Sequence, residues 1–217
     1  MLKYEVIDNQ KEEWVVFVHG IGGSTKTWGK QIDEFSENYN LLLLDLPGHG
    51  LNADNIIQKV SPRKLHKGIK ETLDYLHIEK AHFVGLSLGT IVIAQFAICF
   101  PQYVDTIILG GPSLKLNSVS KAAVICANKI KGTVPYEFLY QFFAWFMMPK
   151  KNHETSRKIF LREVVKLDKE NRVTDIFDVC PEKGNATVNT NIMVISRVDL
   201  QNVVRESLAR GLKSFHK

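Results

Sequence analysis

Ser87 stands in the run Gly85-Leu86-Ser87-Leu88-Gly89. A serine between glycines at this spacing suits covalent catalysis, because a hydroxyl becomes a useful nucleophile only when it is presented at an exposed apex beside a base. The flanking residues supply the apex: the apolar run Ala81–Val84 leads in, and Thr90–Phe100, stopped by Pro101, leads away. A strand turning this sharply into a helix has no room for side chains at Gly85 and Gly89, which would collide with the neighbouring strand and helix. The helix amino end presents unpaired backbone N–H groups and partial positive charge, both suited to a developing oxyanion. The competing reading is a structural serine in a tight turn.

A second run, His19-Gly20-Ile21-Gly22-Gly23-Ser24, follows the apolar segment Trp14–Val18. Its glycines let the backbone fold back toward the sheet, so the N–H groups of Ile21 and Leu88 are predicted to face one oxygen. Two donors about 3 Å from an oxyanion are typically worth a few kcal/mol of transition-state stabilisation. The rival is a phosphate-binding loop, which lacks its signatures here: neither G-x-x-x-x-G-K-S/T nor G-x-G-x-x-G is present.

The elements that position these residues alternate between strand-like and helix-like, the mark of an α/β layer architecture. Leu2, Tyr4 and Val6 alternate with polar residues, as in an edge strand. Trp14–Val18, Leu41–Leu44, Ala81–Val84 and Thr106–Leu109 are short continuous apolar runs, expected of strands buried on both faces. Trp28, Ile32 and Phe35 recur at helical spacing. Ser61-Pro62 predicts a capped helix start, with Leu65, Ile69, Leu73 and Leu76 along one face. After Pro112 the alternation is lost, and an aromatic and Met-rich helical stretch around Tyr136–Met148 fits an inserted lid or an extension of the core. Asn171–Asn191 is polar and loop-like, Ile192–Ile195 is a last strand candidate, and a helix is expected from about Gln201 to Lys213.

The two glycine runs, with Trp28 and Asp45-Leu46-Pro47-Gly48-His49-Gly50, resemble the α/β-hydrolase fold superfamily in order and separation. The resemblance implies a mostly parallel sheet flanked by helices, built from residues 1–112 and 171–217, with a helical cap over 113–170. It also implies a nucleophile at Ser87, an oxyanion hole from Ile21 and Leu88, and loop-supporting roles for His19 and His49. Dehalogenases of this fold carry Asp at the elbow, so Ser87 argues against that chemistry. The family orders its triad as serine, acid, histidine. Asp199, just past Ile192–Ile195, is the candidate acid; its alternative role is to cap the helix that follows. Only His153 and His216 come after Ser87, and His153 precedes the acid within the basic cap segment. A helix, a strand and a loop need about 25 residues after the acid, whereas His216 follows Asp199 by 17. No histidine is therefore assigned as base. The chain reads as lacking the last strand and loop of a complete hydrolase, through truncation, frame shift or divergence, or with a base supplied from elsewhere.

Composition narrows the partners. The 217 residues are 45% hydrophobic and 24% charged, ordinary for a globular protein. Three scattered cysteines, Cys99, Cys126 and Cys180, form no disulfide framework, and the charged start of the chain is no signal peptide. The apolar runs are about half the ~20 residues a membrane span needs, so a cytoplasmic protein is expected. The net charge of +5 divides as −3 for residues 1–111, +6 for 112–170 and +2 for 171–217. The surplus is thus a property of the cap, and no nucleic-acid motif accompanies it. The expected function is cleavage of a small carboxylic ester or thioester through acyl-Ser87, with no metal or cofactor. The alternative is a hydrolase-like protein with impaired catalysis that binds a small apolar ligand or a partner.

Overall fold

The computed structural model describes residues 1–53, 62–111 and 136–165, and the backbone of 192–196. Six strands form one sheet in the order β1-β3-β2-β4-β5-β6: β1 (Lys3–Ile7), β2 (Trp14–Val18), β3 (Asn40–Asp45), β4 (Ala81–Leu86), β5 (Val104–Gly110) and β6 (Ile192–Ser196). The four central strands run parallel. β1 closes one edge antiparallel to β3, as its alternating pattern predicts.

Leu41 to Leu44 show why such an apolar run becomes a central strand. All four are fully buried, and they divide by parity: Leu42 and Leu44 join the core on one face, Leu41 and Leu43 the core on the other. Burying each side chain contributes about 2 kcal/mol. The larger core packs α2 (Pro62–Tyr75) and α3 (Leu88–Cys99) against the sheet, with Leu65, Ile69 and Leu73 of α2 buried as their spacing requires. The smaller core holds Trp28, with Ile32 and Phe35 packed around it. The single helix expected through these three residues is two pieces, a 3-10 turn at Thr25–Trp28 and the short α1 (Ile32–Ser36), with Gly29 capping the first.

β6 occupies the last strand candidate, Ile192–Ile195, and extends it by one residue to Ser196. It pairs antiparallel with β5, Ile192 opposite Gly110 and Ser196 opposite Thr106. A strand that carried an acid toward Ser87 would run parallel to β5. Instead, the carboxyl end of β6 lies beside the amino end of β5, at the opposite end of the sheet. Of the expected cap, α4 (Tyr136–Met147) and α5 (Glu154–Val165) are described; they pack through Tyr140 and Phe143 against Phe160, with ring centroids 6.1 Å apart in both pairs. No described helix is long and apolar enough to cross a membrane.

Candidate active site

Where β4 ends, the chain turns into α3 within one residue. Ser87 is that residue, with φ 50° and ψ −112°, a backbone conformation that is costly for a side-chain-bearing residue. The turn is held from both sides. The Ser87 N–H donates to the Gly110 carbonyl at 2.9 Å, and the Ser87 carbonyl accepts from the Thr90 N–H at 2.9 Å and the Thr90 hydroxyl at 2.6 Å. The flanking glycines are required on steric grounds. A Cβ on Gly89 would overlap the Val18 carbonyl oxygen, and one on Gly85 would lie 2.7 Å from Ile93 Cδ1. α3 therefore begins hard against the end of β2, which the sequence predicts.

The loop leaving β2 passes beside this elbow. A Cβ on Gly20 would lie 3.1 Å from Ser87 Cβ and 3.0 Å from the Leu86 carbonyl oxygen. Ile21, next in the chain, is half-buried, and Leu88 is buried at the first position of α3. The loop then turns through the Gly23 N–H, which donates to the Gly20 carbonyl at 3.0 Å, and enters the 3-10 turn capped by the Ser24 hydroxyl.

Two buried histidines fix this loop to the one after β3. His19 Nε2 accepts from the Leu46 N–H at 3.0 Å, and His49 Nε2 accepts from the Gly22 N–H at 3.1 Å. Because a backbone donor occupies Nε2 in each ring, the proton sits on Nδ1, which donates to the Gly20 carbonyl at 2.7 Å in His19 and to the Pro47 carbonyl at 3.0 Å in His49. Burial, reinforced by His49 with its ring centroid 5.1 Å away, lowers the His19 pKa to about 3. Burial lowers His49 as well. Both rings are neutral with both nitrogens engaged, so neither can take a proton from Ser87.

Asp45 completes the brace. Its buried carboxylate accepts from the Thr25 and Leu51 N–H groups, each at 2.8 Å, and its carbonyl accepts from the Asn52 side chain at 2.7 Å. Burial still raises its pKa, because two backbone bonds only partly replace water. His19 Nε2 lies 3.6 Å from this carboxylate, but the ring is neutral and the contact is no ion pair.

The structure thus places Ser87, Leu88 and the Ile21 loop together. Asp199 and His216 lie outside the described residues. His153 ends the 3-10 turn Lys151–His153 that leads into α5. His66 packs against Phe100 at the far end of α3 from Ser87, with ring centroids 5.7 Å apart, and His82 sits near the start of β4, 3.7 Å from Glu13. Three contributors escape sequence reasoning: the Asp45 carboxylate, the Thr90 hydroxyl, and the approach of Phe160 and Val164 to Gly22. The first two had a local signal, a polar side chain within a turn three residues or fewer from a motif glycine. The third had none.

A family model described as alpha/beta hydrolase fold matches residues 13–147. A pimeloyl-[acyl-carrier protein] methyl ester esterase of Wigglesworthia glossinidia brevipalpis is 25% identical over 195 residues, covering 88% of this chain and 69% of that protein. A 2-hydroxy-6-oxononadienedioate/2-hydroxy-6-oxononatrienedioate hydrolase of Paraburkholderia phymatum is 35% identical over 112 residues, 47% of this chain and 38% of that one. The dihydrolipoyllysine-residue acetyltransferase component of an acetoin cleaving system from Cupriavidus necator is 35% identical over 100 residues, only 26% of its length. Among solved structures, an esterase from Exiguobacterium antarcticum superposes with a TM-score of 0.72 at 16% identity, covering 83% of this chain and 70% of that one. At that identity the likeness concerns the fold alone.

Proposed function

The chain belongs to the alpha/beta hydrolase fold family, and from that premise we propose that it is a serine hydrolase cleaving a small carboxylic ester or thioester through an acyl-Ser87 intermediate. The observation that carries the reading is the strained elbow at Ser87 with the Gly20 backbone drawn up beside it. Strain of this kind persists only where the surroundings over-determine it. Here the surroundings are the Gly110 and Thr90 hydrogen bonds and two glycines that admit no side chain. The relatives named as esterase and hydrolase support the same class of reaction.

In this reading Ser87 Oγ attacks the acyl carbon and its proton passes to a base. The carbonyl oxygen gains the negative charge and is met by the N–H groups of Ile21 and Leu88. Collapse breaks the bond to the alcohol or thiol, which leaves with the proton. Water then repeats the sequence on the acyl-serine, releasing the acid and restoring Ser87. His19 and His49 act as braces. Asp199 remains the sequence's candidate for the acid, but the direction of β6 lends it no support and the proposal does not depend on it.

The test is labelling by a fluorophosphonate probe, with p-nitrophenyl acetate turnover by wild type and Ser87→Ala. Labelling at Ser87 and a rate lost on substitution are expected. No labelling and equal rates would refute the enzyme reading and leave a hydrolase-like ligand-binding protein.

A further inference from the structure

Gly22 is clamped from two sides. Below, its N–H donates to His49. On its other side a Cβ would come within 2.7 Å of Phe160 Cε2 and 2.8 Å of Val164 Cγ2, both on α5. The residue also has φ +70°, a conformation that favours glycine. The loop therefore needs glycine at this position twice over, for its own turn and to seat the helix. Phe160 and Val164 are four residues apart, one helical turn, and so meet the loop as a single surface. Phe160 is backed by Tyr140 and Phe143 of α4. α5 also packs on the 3-10 turn Thr25–Trp28 and carries the buried Glu163.

We propose that Phe160 and Val164 are positioning residues: seating α5 on Gly22 fixes the conformation of loop 19–24 and so aims the Ile21 N–H. The catalytic half of this inference rests on the reading of Ser87 and Ile21 above; the structural half does not. The physical reason is specific to glycine. Without a Cβ, Gly22 can take φ of either sign, and its hydrogen bond to one ring nitrogen restrains only one side of it. The aromatic wall supplies the other restraint. A donor displaced by about 1 Å loses most of its catalytic value, so the cap would control turnover without touching substrate.

The test pairs amide hydrogen exchange of the peptide spanning residues 19–24 with steady-state kinetics on p-nitrophenyl acetate, for wild type, Phe160→Ala, Phe160→Leu and Val164→Ala. Expected for Phe160→Ala is about tenfold faster exchange in 19–24 with β3 unchanged, kcat about tenfold lower and KM within about twofold. Phe160→Leu should recover most of both, and Val164→Ala should show a smaller loss of the same kind. Unchanged exchange in 19–24 would overturn the proposal whether or not the protein turns over ester. Faster exchange with undiminished kcat would overturn the link to catalysis. If Phe160→Ala does not fold, the leucine and Val164 variants decide the matter on the same readouts. Absence of Ser87-dependent turnover in wild type would instead refute the enzyme reading and, with it, the catalytic half; the exchange result still judges the structural half.

Discussion

The loop cluster at the carboxyl ends of β2, β3 and β4 and the helical pair α4–α5 are held by opposite means. In the cluster, His19, His49 and Asp45 are buried polar groups, each bonded to backbone N–H groups of another loop. Burying them unpaired would cost several kcal/mol, so the network ties the loops to one another through directional bonds. The helical pair carries Phe138, Phe142 and Trp145 at 62–66% exposure and meets the loops through apolar contacts at Gly22. Apolar contact is non-directional and can slide. The cluster is thus held by directional polar bonds, and the helical pair by the fit of its apolar side chains, most closely at Gly22.

The largest effect that would break this contrast is chemical. Ser87→Ala should lower ester turnover by about 10³-fold or more while leaving the unfolding midpoint within a degree or two, measured by p-nitrophenyl acetate kinetics and thermal melting. A parallel loss of stability would mean that the cluster is merely scaffold. Next comes Gly89→Ala, which drives a methyl into the Val18 carbonyl. Because both partners are backbone, the elbow has to open, and a loss of about 3 kcal/mol in urea unfolding is expected.

The pH dependence of stability has a definite sign. The pKa of His19 falls from 6.5 to about 3 on folding. Between those values the unfolded chain binds more protons, so stability should be full above about pH 6.5 and drain away as pH falls toward 3. His49 adds to the loss, while Asp45, raised by burial, partly offsets it by protonating more easily when folded. From His19 alone a loss of about 3 kcal/mol by roughly pH 4.5 is expected in denaturant titrations. A flat profile would show that the histidines are not held neutral. The smallest effect is on the helical pair: Phe138→Ser with Trp145→Ser should shift stability by less than about 0.5 kcal/mol, since neither ring is buried. A large loss would place these rings in a core and dissolve the comparison.

The same contrast explains what the sequence discloses. β3 is legible because Leu41–Leu44 can satisfy both faces of a sheet only as a central strand, and the elbow is legible because Gly85, Ser87 and Gly89 form a local steric unit. The direction of β6 is not, because a short apolar run such as Ile192–Ile195 reads the same for either direction and only its pairing with β5 decides. The break between Trp28 and Ile32 escapes a spacing rule because the three apolar residues converge in one core with or without a continuous helix. The bracing role of His19 and His49 follows from the resemblance, but their tautomers follow only from which backbone N–H reaches each ring. The seat of α5 on Gly22 joins residues far apart in the chain, and no local pattern announces it.

The φ of 50° at Ser87 has a consequence for inheritance as well as chemistry. Glycine would occupy that conformation without the penalty of about 1 kcal/mol that serine carries. Under selection for heat tolerance alone, nothing in the backbone would hold serine at position 87, since glycine takes the same conformation without strain. A lineage that keeps serine there is one in which something other than stability is being counted.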